Sequence, residues 1–433
     1  MRGPAKYLLA LAAAGVLAAG CDWRDFDNLQ NQVPVARIDP PSGYQASSDF
    51  GGTLLPVAPP ADGSAAAWFL ASGTEALGLA LVKVDAAGNV SGATLSGPAV
   101  DTLGSDPVPA MAEIPGTGTA LLGCPTFASL LTVDLASATV SAFTPSTPLE
   151  TLFGIGVAAG NLAGAATPDL AVTSQTSLHV YLDGATTDLT PAASELASCP
   201  IALSSNFTGG ALARRPMVIG NLLGSGPVVA VGTPGAGAAG SVSFFSATSS
   251  AVTCAGVLTA PALTPATTVN AGFGTALAIG DFDGDGAADL LVGAPPGAVY
   301  LYKGPIASGA APTATIKPAA GGVAFGAALA AANLDGVAGD EALIGDPQAT
   351  VGGQTGAGSV TVYTGPKLAS TPASNGVLTD HDSNAGESYG AAVAALPFCA
   401  TAGCTSPTVL PLVGAPAHAF VYFTVGSTDP RTK

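Results

Sequence analysis

Residues 273–295 have the sequence FGTALAIGDFDGDGAADLLVGAP, in which two short apolar runs flank a loop rich in Asp and Gly. Each apolar run has the length of a β-strand, and glycines stand at the junctions. The aromatic run from Val299 to Tyr302 follows directly and has the alternation of a third strand. The stretch therefore predicts a β-hairpin with an acidic loop, continued by another strand of the same sheet.

The same order of motifs recurs along the chain. Phe-Gly or Tyr-Gly pairs begin at Phe153, Phe273, Phe325 and Tyr389. Gly-X-Pro triplets end later apolar runs at residues 232–234, 293–295, 345–347 and 414–416. The copies lie roughly 50–65 residues apart, and each reads as four short strands. One such unit cannot bury both of its faces, whereas copies stacked around an axis can, and that arrangement is a β-propeller.

Two weaker copies lie upstream, around the runs Leu79–Val84 and Leu130–Leu135. Five clear and two weak units make seven, and residues 50–430 divided by seven give about 54 residues per unit, a normal blade size. The predicted fold is all-β: a propeller of seven four-stranded blades spanning residues 50–430.

The repeated motifs resemble the FG-GAP repeats of integrin α-chain propellers and their bacterial relatives, well over residues 150–425 and weakly over 50–150. The resemblance implies calcium in loops that join the first two strands of certain blades. It also implies ligand binding on the opposite face, near residues 206–215, 268–272 and 380–387 here. This implication is an analogy at the level of the fold.

The strongest chemical signal is the acidic loop. Calcium binds six to eight oxygens at about 2.3–2.6 Å, and its loops need glycine where the backbone curls. The carboxylates at loop positions 1, 3, 5 and 9 and the carbonyl at position 7 are the predicted ligands: Asp281, Asp283, Asp285, Asp289 and Ala287. An EF-hand would need Glu near position 12, where Val292 stands, and helices where both flanks read as strands.

A second loop keeps part of the pattern. Oxygen ligands remain at positions 1, 3 and 9 as Asn333, Asp335 and Glu341, but Val337 replaces the Asp of position 5. Calcium and an ion-free turn are therefore both open there. The corresponding loops that begin at Asn161 and at Asn221 have lost most of their oxygens and are expected to be ordinary hairpins.

The N-terminus has the pattern of an export signal. Arg2 and Lys6 precede an apolar run, which ends in LAAGC at residues 17–21 and resembles the lipobox of bacterial lipoproteins. The resemblance implies that residues 1–20 are removed and that Cys21 is lipidated. An ordinary signal peptide stays open because Ala18 stands where the lipobox usually has Leu. Residues 21–49 read as a tether, although residues 33–38 could instead add a closing strand to the last blade.

An exported protein can form disulfides. Cys399 and Cys404 bracket a short loop and are the first expected pair. A second, weaker pairing joins Cys199 to Cys254. Cys124 lies outside both pairs and is expected to be a small buried hydrophobe.

The formal net charge of −17 argues against a nucleic-acid partner, because phosphate binding needs a basic patch. No HExxH motif, nucleophile elbow or phosphate-binding glycine loop is present. Of the three histidines, His179 is expected to be structural, and His418 lies in a predicted loop. His381 stands between Asp380 and Asp382, where a solvated polar loop is expected and a metal ligand is the alternative.

The expected function is that of a calcium-binding, non-catalytic binding or adhesion module. It would sit on the cell envelope, in the outer membrane facing the periplasm or the surface, held by lipid on Cys21. Its partner would be a protein or a glycan. The alternative is a carbohydrate-active or phospholipase-like hydrolase that uses loops of the propeller face.

Overall fold

The structure is a computed structural model. It describes residues 35–44, 50–58, 67–73, 78–85, 88–96, 110–125, 128–143, 152–163, 167–175, 177–183, 193–194, 214–235, 239–248, 251–262, 272–295, 297–318, 322–368, 372, 374–380, 383–399 and 407–422. The predicted signal sequence, Cys21, Cys199, His381 and Cys404 lie outside these residues, so the predictions that depend on them stay predictions.

The described residues form short strands and one helical turn. In chain order the strands are β1 (Val35–Ile38), β2 (Thr53–Val57), β3 (Ala67–Ser72), β4 (Leu79–Val84), β5 (Val90–Thr94), β6 (Ala110–Ile114), β7 (Thr119–Cys124), β8 (Ser129–Asp134), β9 (Thr139–Phe143), β10 (Gly156–Gly160), β11 (Asp169–Thr173), β12 (Leu178–Tyr181), β13 (Ala193–Ser194), β14 (Met217–Gly220), β15 (Val228–Thr233), β16 (Ser241–Ala247), β17 (Val252–Thr259), β18 (Ala276–Gly280), β19 (Asp289–Ala294), β20 (Ala298–Tyr302), β21 (Ala314–Ile316), β22 (Ala328–Ala332), β23 (Glu341–Asp346), β24 (Ser359–Tyr363), β25 (Ser374–Leu378), β26 (Ala392–Phe398), β27 (Thr408–Ala415) and β28 (His418–Tyr422). The helical turn α1 (Gly365–Leu368) follows β24.

These strands build seven antiparallel sheets of four strands each, which confirms the predicted propeller. Blades 1 to 6 are β2–β5, β6–β9, β10–β13, β14–β17, β18–β21 and β22–β25, and blade 7 contains β26, β27, β28 and β1. The first strands of neighbouring blades touch one another in a closed ring, from β2 through β26 and back to β2. They therefore surround a central channel, and the acidic loop belongs to the fifth blade.

The ring is closed by a strand from the start of the chain. β1 pairs antiparallel with β28, in a register that joins Val35 to Tyr422 and Ile38 to Ala419. Ile38 is buried, so this strand carries apolar contacts as well as hydrogen bonds. The closing strand that residues 33–38 offered as an alternative to a tether is therefore present.

The glycines of the two repeated motifs meet at the junctions between blades. A Cβ on the second-strand glycine would lie 1.9–2.3 Å from the carbonyl oxygen of the Phe-Gly or Tyr-Gly glycine of the next blade. The pairs are Gly123–Gly154, Gly232–Gly274, Gly293–Gly326, Gly345–Gly390 and Gly414–Gly51. Only a residue without a side chain permits so close an approach of two backbones, which explains why both motifs contain glycine.

Apolar side chains fill the space between neighbouring blades. Leu291 and Leu301 of blade 5, for example, pack in one cluster with Ile344 of blade 6. The aromatic rings of the Phe-Gly and Tyr-Gly pairs are buried as well, among them Phe273 and Tyr389. Among the described residues, no helix is long and apolar enough to pass through a bilayer.

Two cysteines in the described part of the chain, Cys254 and Cys399, are disulfide-bonded. Their predicted partners lie outside the described residues, so the two pairings stay predictions. Cys124 is buried at the end of β7, as expected for a small apolar side chain. His179 lies in β12, where it is buried and its ring is 5.4 Å from that of Phe153.

Candidate metal centre

The acidic loop connects the first two strands of blade 5. β18 and β19 pair from Ala276–Gly293 down to Gly280–Asp289, and residues 281–288 form the turn between them. Gly284 and Gly286 have φ values of +76° and +84°, in the left-handed region that other residues rarely adopt. These two glycines let the chain curl back on itself, so that alternate side chains converge.

Three carboxylates converge inside this turn. One oxygen each of Asp281, Asp283 and Asp285 lies within 4.8 Å of the other two. Asp281 is held in place by the backbone, since its Oδ1 accepts a hydrogen bond from Gly284 N (2.8 Å) and its Oδ2 one from Gly286 N (2.9 Å). This set of hard oxygen ligands on a preformed turn is compatible with a Ca²⁺ site.

A protein cation already lies against these carboxylates. The ammonium of Lys303, just after β20, contacts Asp283 Oδ2 and lies 3.8 Å from Asp285 Oδ2. The hydrogen bond to Asp283 raises the pKa of Lys303. The turn thus attracts positive charge at the position that the predicted ion would share, and one ammonium does not balance three carboxylates.

Asp289, the predicted ligand at position 9, has a fastening role in the structure. It is fully buried, its Oδ2 accepts a hydrogen bond from Phe282 N (3.0 Å), and its Oδ1 accepts one from Gly304 N (2.8 Å). Burial raises its pKa to about 6, and the charges of Asp283 and Asp285 add to the shift. The carboxylate ties both ends of the turn together, and each oxygen keeps a second lone pair that an ion could use.

The same fastening recurs in other blades. Asp169 accepts hydrogen bonds from Leu162 N (2.7 Å) and Asp183 N (2.9 Å), and Glu341 accepts one from Leu334 N (2.8 Å). The sequence showed the acidic residue at position 9 only as a metal ligand. Its retention in the loop from Asn161, which has lost the other carboxylates, was the available signal for a structural role.

The carbonyl of Ala287 stays a predicted ligand. The amide of this residue donates to Asp285 Oδ1 at 2.8 Å, so Ala287 does help to orient a carboxylate of the cluster.

In the second predicted loop, oxygens of Asn333 and Asp335 already accept hydrogen bonds from the turn's own backbone. Asn333 Oδ1 accepts a hydrogen bond from Gly336 N (2.6 Å), and Asp335 Oδ1 accepts one from Val337 N (2.8 Å). Glu341 is buried, and burial raises its pKa to about 7. Within the described parts of the chain, only residues 281, 283 and 285 form an acidic group with the spacing of a metal site. Calcium at the second loop stays a prediction.

The two loops are joined by a residue that the sequence did not single out. Asp340 Oδ2 accepts a hydrogen bond from Asp281 N (2.8 Å), and Asp340 N donates to Asp281 O (2.7 Å). The backbone of Asp281, the first predicted calcium ligand, is thereby fixed to the hairpin of blade 6. An ion bound in blade 5 would therefore act on the junction of two blades.

Replacing Lys303 with Met is expected to raise the calcium affinity of the fifth-blade loop roughly five-fold, because a competing charge close to the ligand oxygens is removed. The apolar stem of Met keeps the volume. Isothermal titration of the chelator-treated protein with CaCl₂ measures the change, and Lys317→Met, which removes an exposed charge after β21, is the matched control. An affinity that stays equal or falls in Lys303→Met would contradict the competition.

Comparison with known proteins bears on the same stretch. Residues 273–302, which contain β18, the acidic turn, β19 and β20, match the FG-GAP repeat family. Comparison with curated proteins gives no match. The chain is thus a seven-bladed β-propeller that carries an FG-GAP repeat in its fifth blade, with an acidic turn suited to calcium.

Proposed function

We propose that the protein is an exported, calcium-binding propeller that acts as a non-catalytic binding module on the cell envelope. A lipid on Cys21 would anchor it, and its partner would be a protein or a glycan. The observation that carries the proposal is the convergence of Asp281, Asp283 and Asp285 within an FG-GAP repeat. An ion at this position would stiffen the scaffold and leave recognition to other loops.

The direction of the strands supports separate roles for the two faces of the propeller, with metal binding on one face and ligand recognition on the other. In an antiparallel blade, the loop after the first strand and the connection that leads into that strand lie at opposite ends of it. The acidic turn after β18 is therefore on one face, called here the calcium face. The connections between blades are on the other, called here the connection face.

The connection face offers a group of mixed charges where blade 7 closes. Arg37 Nη2 lies 2.6 Å from His418 Nε2, and His418 Nδ1 lies 2.9 Å from Asp39 Oδ1. Asp380 and Glu387, at the two ends of one candidate contact stretch, are close enough for Asp380 to raise the pKa of Glu387, after burial as the larger cause. The other two candidate stretches lie mostly outside the described residues.

The test is a glycan and protein array, probed with the chain from residue 22 onward in CaCl₂ and in EDTA. We expect a ligand whose binding is weakened by Glu387→Gln on the connection face. Asp134→Asn, an exposed acid on the calcium face, is the matched control and should bind normally. Full binding by Glu387→Gln and by further variants of residues 383–388 would count against the proposal, as would an array without any ligand.

A further inference from the structure

The central channel opens on the connection face into a cavity of about 260 Å³. The beginnings of the first strands line it, with small and apolar side chains such as Ala276, Ala328 and Ala392. The inner edge of each first strand has no strand partner in its sheet, so backbone N–H and C=O groups face the channel.

The charge of this cavity is opposite to that of the protein as a whole. Among the described residues that line it, the charged ones are Arg214 and Arg215, and none is acidic. The chain carries 12 basic and 29 acidic residues, so two adjacent arginines without an acidic neighbour in the cavity are a marked departure from its average charge.

Arg214 also interrupts the repeat. The glycine of the Phe-Gly motif stands six residues before the last residue of the first strand, as Gly154 does before Gly160 and Gly274 before Gly280. In blade 4 the same count back from Gly220 reaches Arg214. The same count reaches a glycine in blades 1, 3, 5 and 6, whereas in blade 4 it reaches a guanidinium. In blade 7, whose first strand is longer, the motif glycine is Gly390.

The guanidinium of Arg214 reaches across the channel. It donates a hydrogen bond to Thr53 Oγ1, which belongs to blade 1 on the far side of the ring. Arg214 keeps exposed surface and lines the channel mouth, and its guanidinium is protonated at neutral pH. Among the described residues no carboxylate pairs with it.

The neighbouring guanidinium has unused donors as well. Arg215 is buried, and its Nη2 donates to Gln175 O at 2.9 Å. Its Nε and Nη1 are buried without a hydrogen-bond partner in the described part of the chain. Buried N–H groups of a charged side chain are costly when unpaired, so this end of the channel has donor capacity that the described residues leave unfilled.

We propose that Arg214, assisted by Thr53 and Arg215, binds the carboxylate or sulfate group of a small acidic ligand at the connection-face mouth of the channel. A guanidinium pairs with such groups through two parallel N–H donors. The volume exceeds that of a bare oxyanion and suits one sugar-sized unit. The ligand class is therefore an acidic sugar, and this inference rests on the proposed binding function for its biological setting.

The experiment is isothermal titration calorimetry of the calcium-loaded protein, with sodium glucuronate, sodium sulfate and glucose titrated separately. We expect glucuronate to bind with a dissociation constant of about 1 mM or lower. Arg214→Gln, which can still donate to Thr53, should weaken binding about ten-fold or more. Lys317→Gln removes an exposed positive charge elsewhere and should bind as the wild type does.

The arms separate the possible outcomes. Tighter binding of glucuronate than of sulfate supports the acidic sugar, and equal binding of both supports an oxyanion site without sugar recognition. Glucose that binds as well as glucuronate, or Arg214→Gln that binds glucuronate unchanged while its thermal unfolding matches the wild type, would overturn the proposal. If the array identifies a ligand whose binding does not change in the Arg214→Gln variant, this inference is contradicted and the proposed binding function is not. If glucuronate binding depends on Arg214 but the array shows no ligand, only the proposed binding function is contradicted.

Discussion

Replacing Gly293 with Ala is expected to destabilise the propeller by about 3 kcal/mol, an overpacking effect at a junction of two backbones. A Cβ on Gly293 would lie 2.1 Å from the carbonyl oxygen of Gly326 in the next blade. No real Cβ contact is that short, and the obstacle is main chain, so relief would require a shift of blade 6 against blade 5. The ring is closed, and such a shift spreads to the other junctions.

Gly297→Ala provides the matched control in the same blade. The nearest atom to a Cβ there is Ala294 O at 3.7 Å, an ordinary contact, and the position has no left-handed φ. Its effect should stay within about 0.5 kcal/mol. Urea denaturation followed by circular dichroism compares the two variants. A Gly293→Ala midpoint equal to that of Gly297→Ala would show that the glycine contact is not what joins the blades.

Calcium is expected to stabilise the protein by about 2.7 kcal/mol at a free concentration 100-fold above its dissociation constant. Exported modules often bind calcium with constants of about 10⁻⁴–10⁻³ M, so millimolar concentrations are needed. The physical basis is the repulsion among Asp281, Asp283 and Asp285, which only Lys303 offsets in the described structure. Because Asp340 ties the same turn to blade 6, the ion should stabilise the whole propeller against global unfolding and not only the loop against local fraying.

Thermal unfolding in CaCl₂ and in EDTA measures this effect. The double substitution Asp283→Asn and Asp285→Asn should abolish the difference between the two conditions while keeping the shape of the turn. Asp134→Asn, an exposed carboxylate in another blade, should leave the difference intact. A melting temperature that does not respond to chelator in the wild-type protein would refute the calcium site.

The fold could be predicted from the periodic motifs because each motif has the same structural role in every blade that contains it. Blade 1 was weakly predicted although Phe50-Gly51 is its Phe-Gly pair, since no acidic loop or Gly-X-Pro triplet accompanies the pair. In the structure, Gly51 lies against Gly414 of blade 7, and this contact identifies Phe50-Gly51 as the equivalent of the other Phe-Gly pairs. The fourth strands were hard to predict because none of the repeated motifs marks them. They lie at outer edges, and β13 is only Ala193–Ser194.

The candidate sites also differ in how far the sequence alone could predict them. The acidic turn is local in sequence, so its spacing alone predicted the converging carboxylates. The fastening role of Asp289 and the bridge from Asp340 depend on backbone amides of neighbouring turns, which a linear pattern does not contain. The channel mouth is built from residues of several blades, and only the closed ring brings Arg214 and Thr53 together.

The direction of β1 has a consequence for orientation. Because β1 runs antiparallel to β28, Val35 lies at the calcium face and Asp39 at the connection face. A lipid on Cys21 would be joined to Val35 through residues 22–34, a span of at most about 50 Å. The tether would then attach at the calcium face, and the mouth of the channel would lie at the opposite end of the propeller.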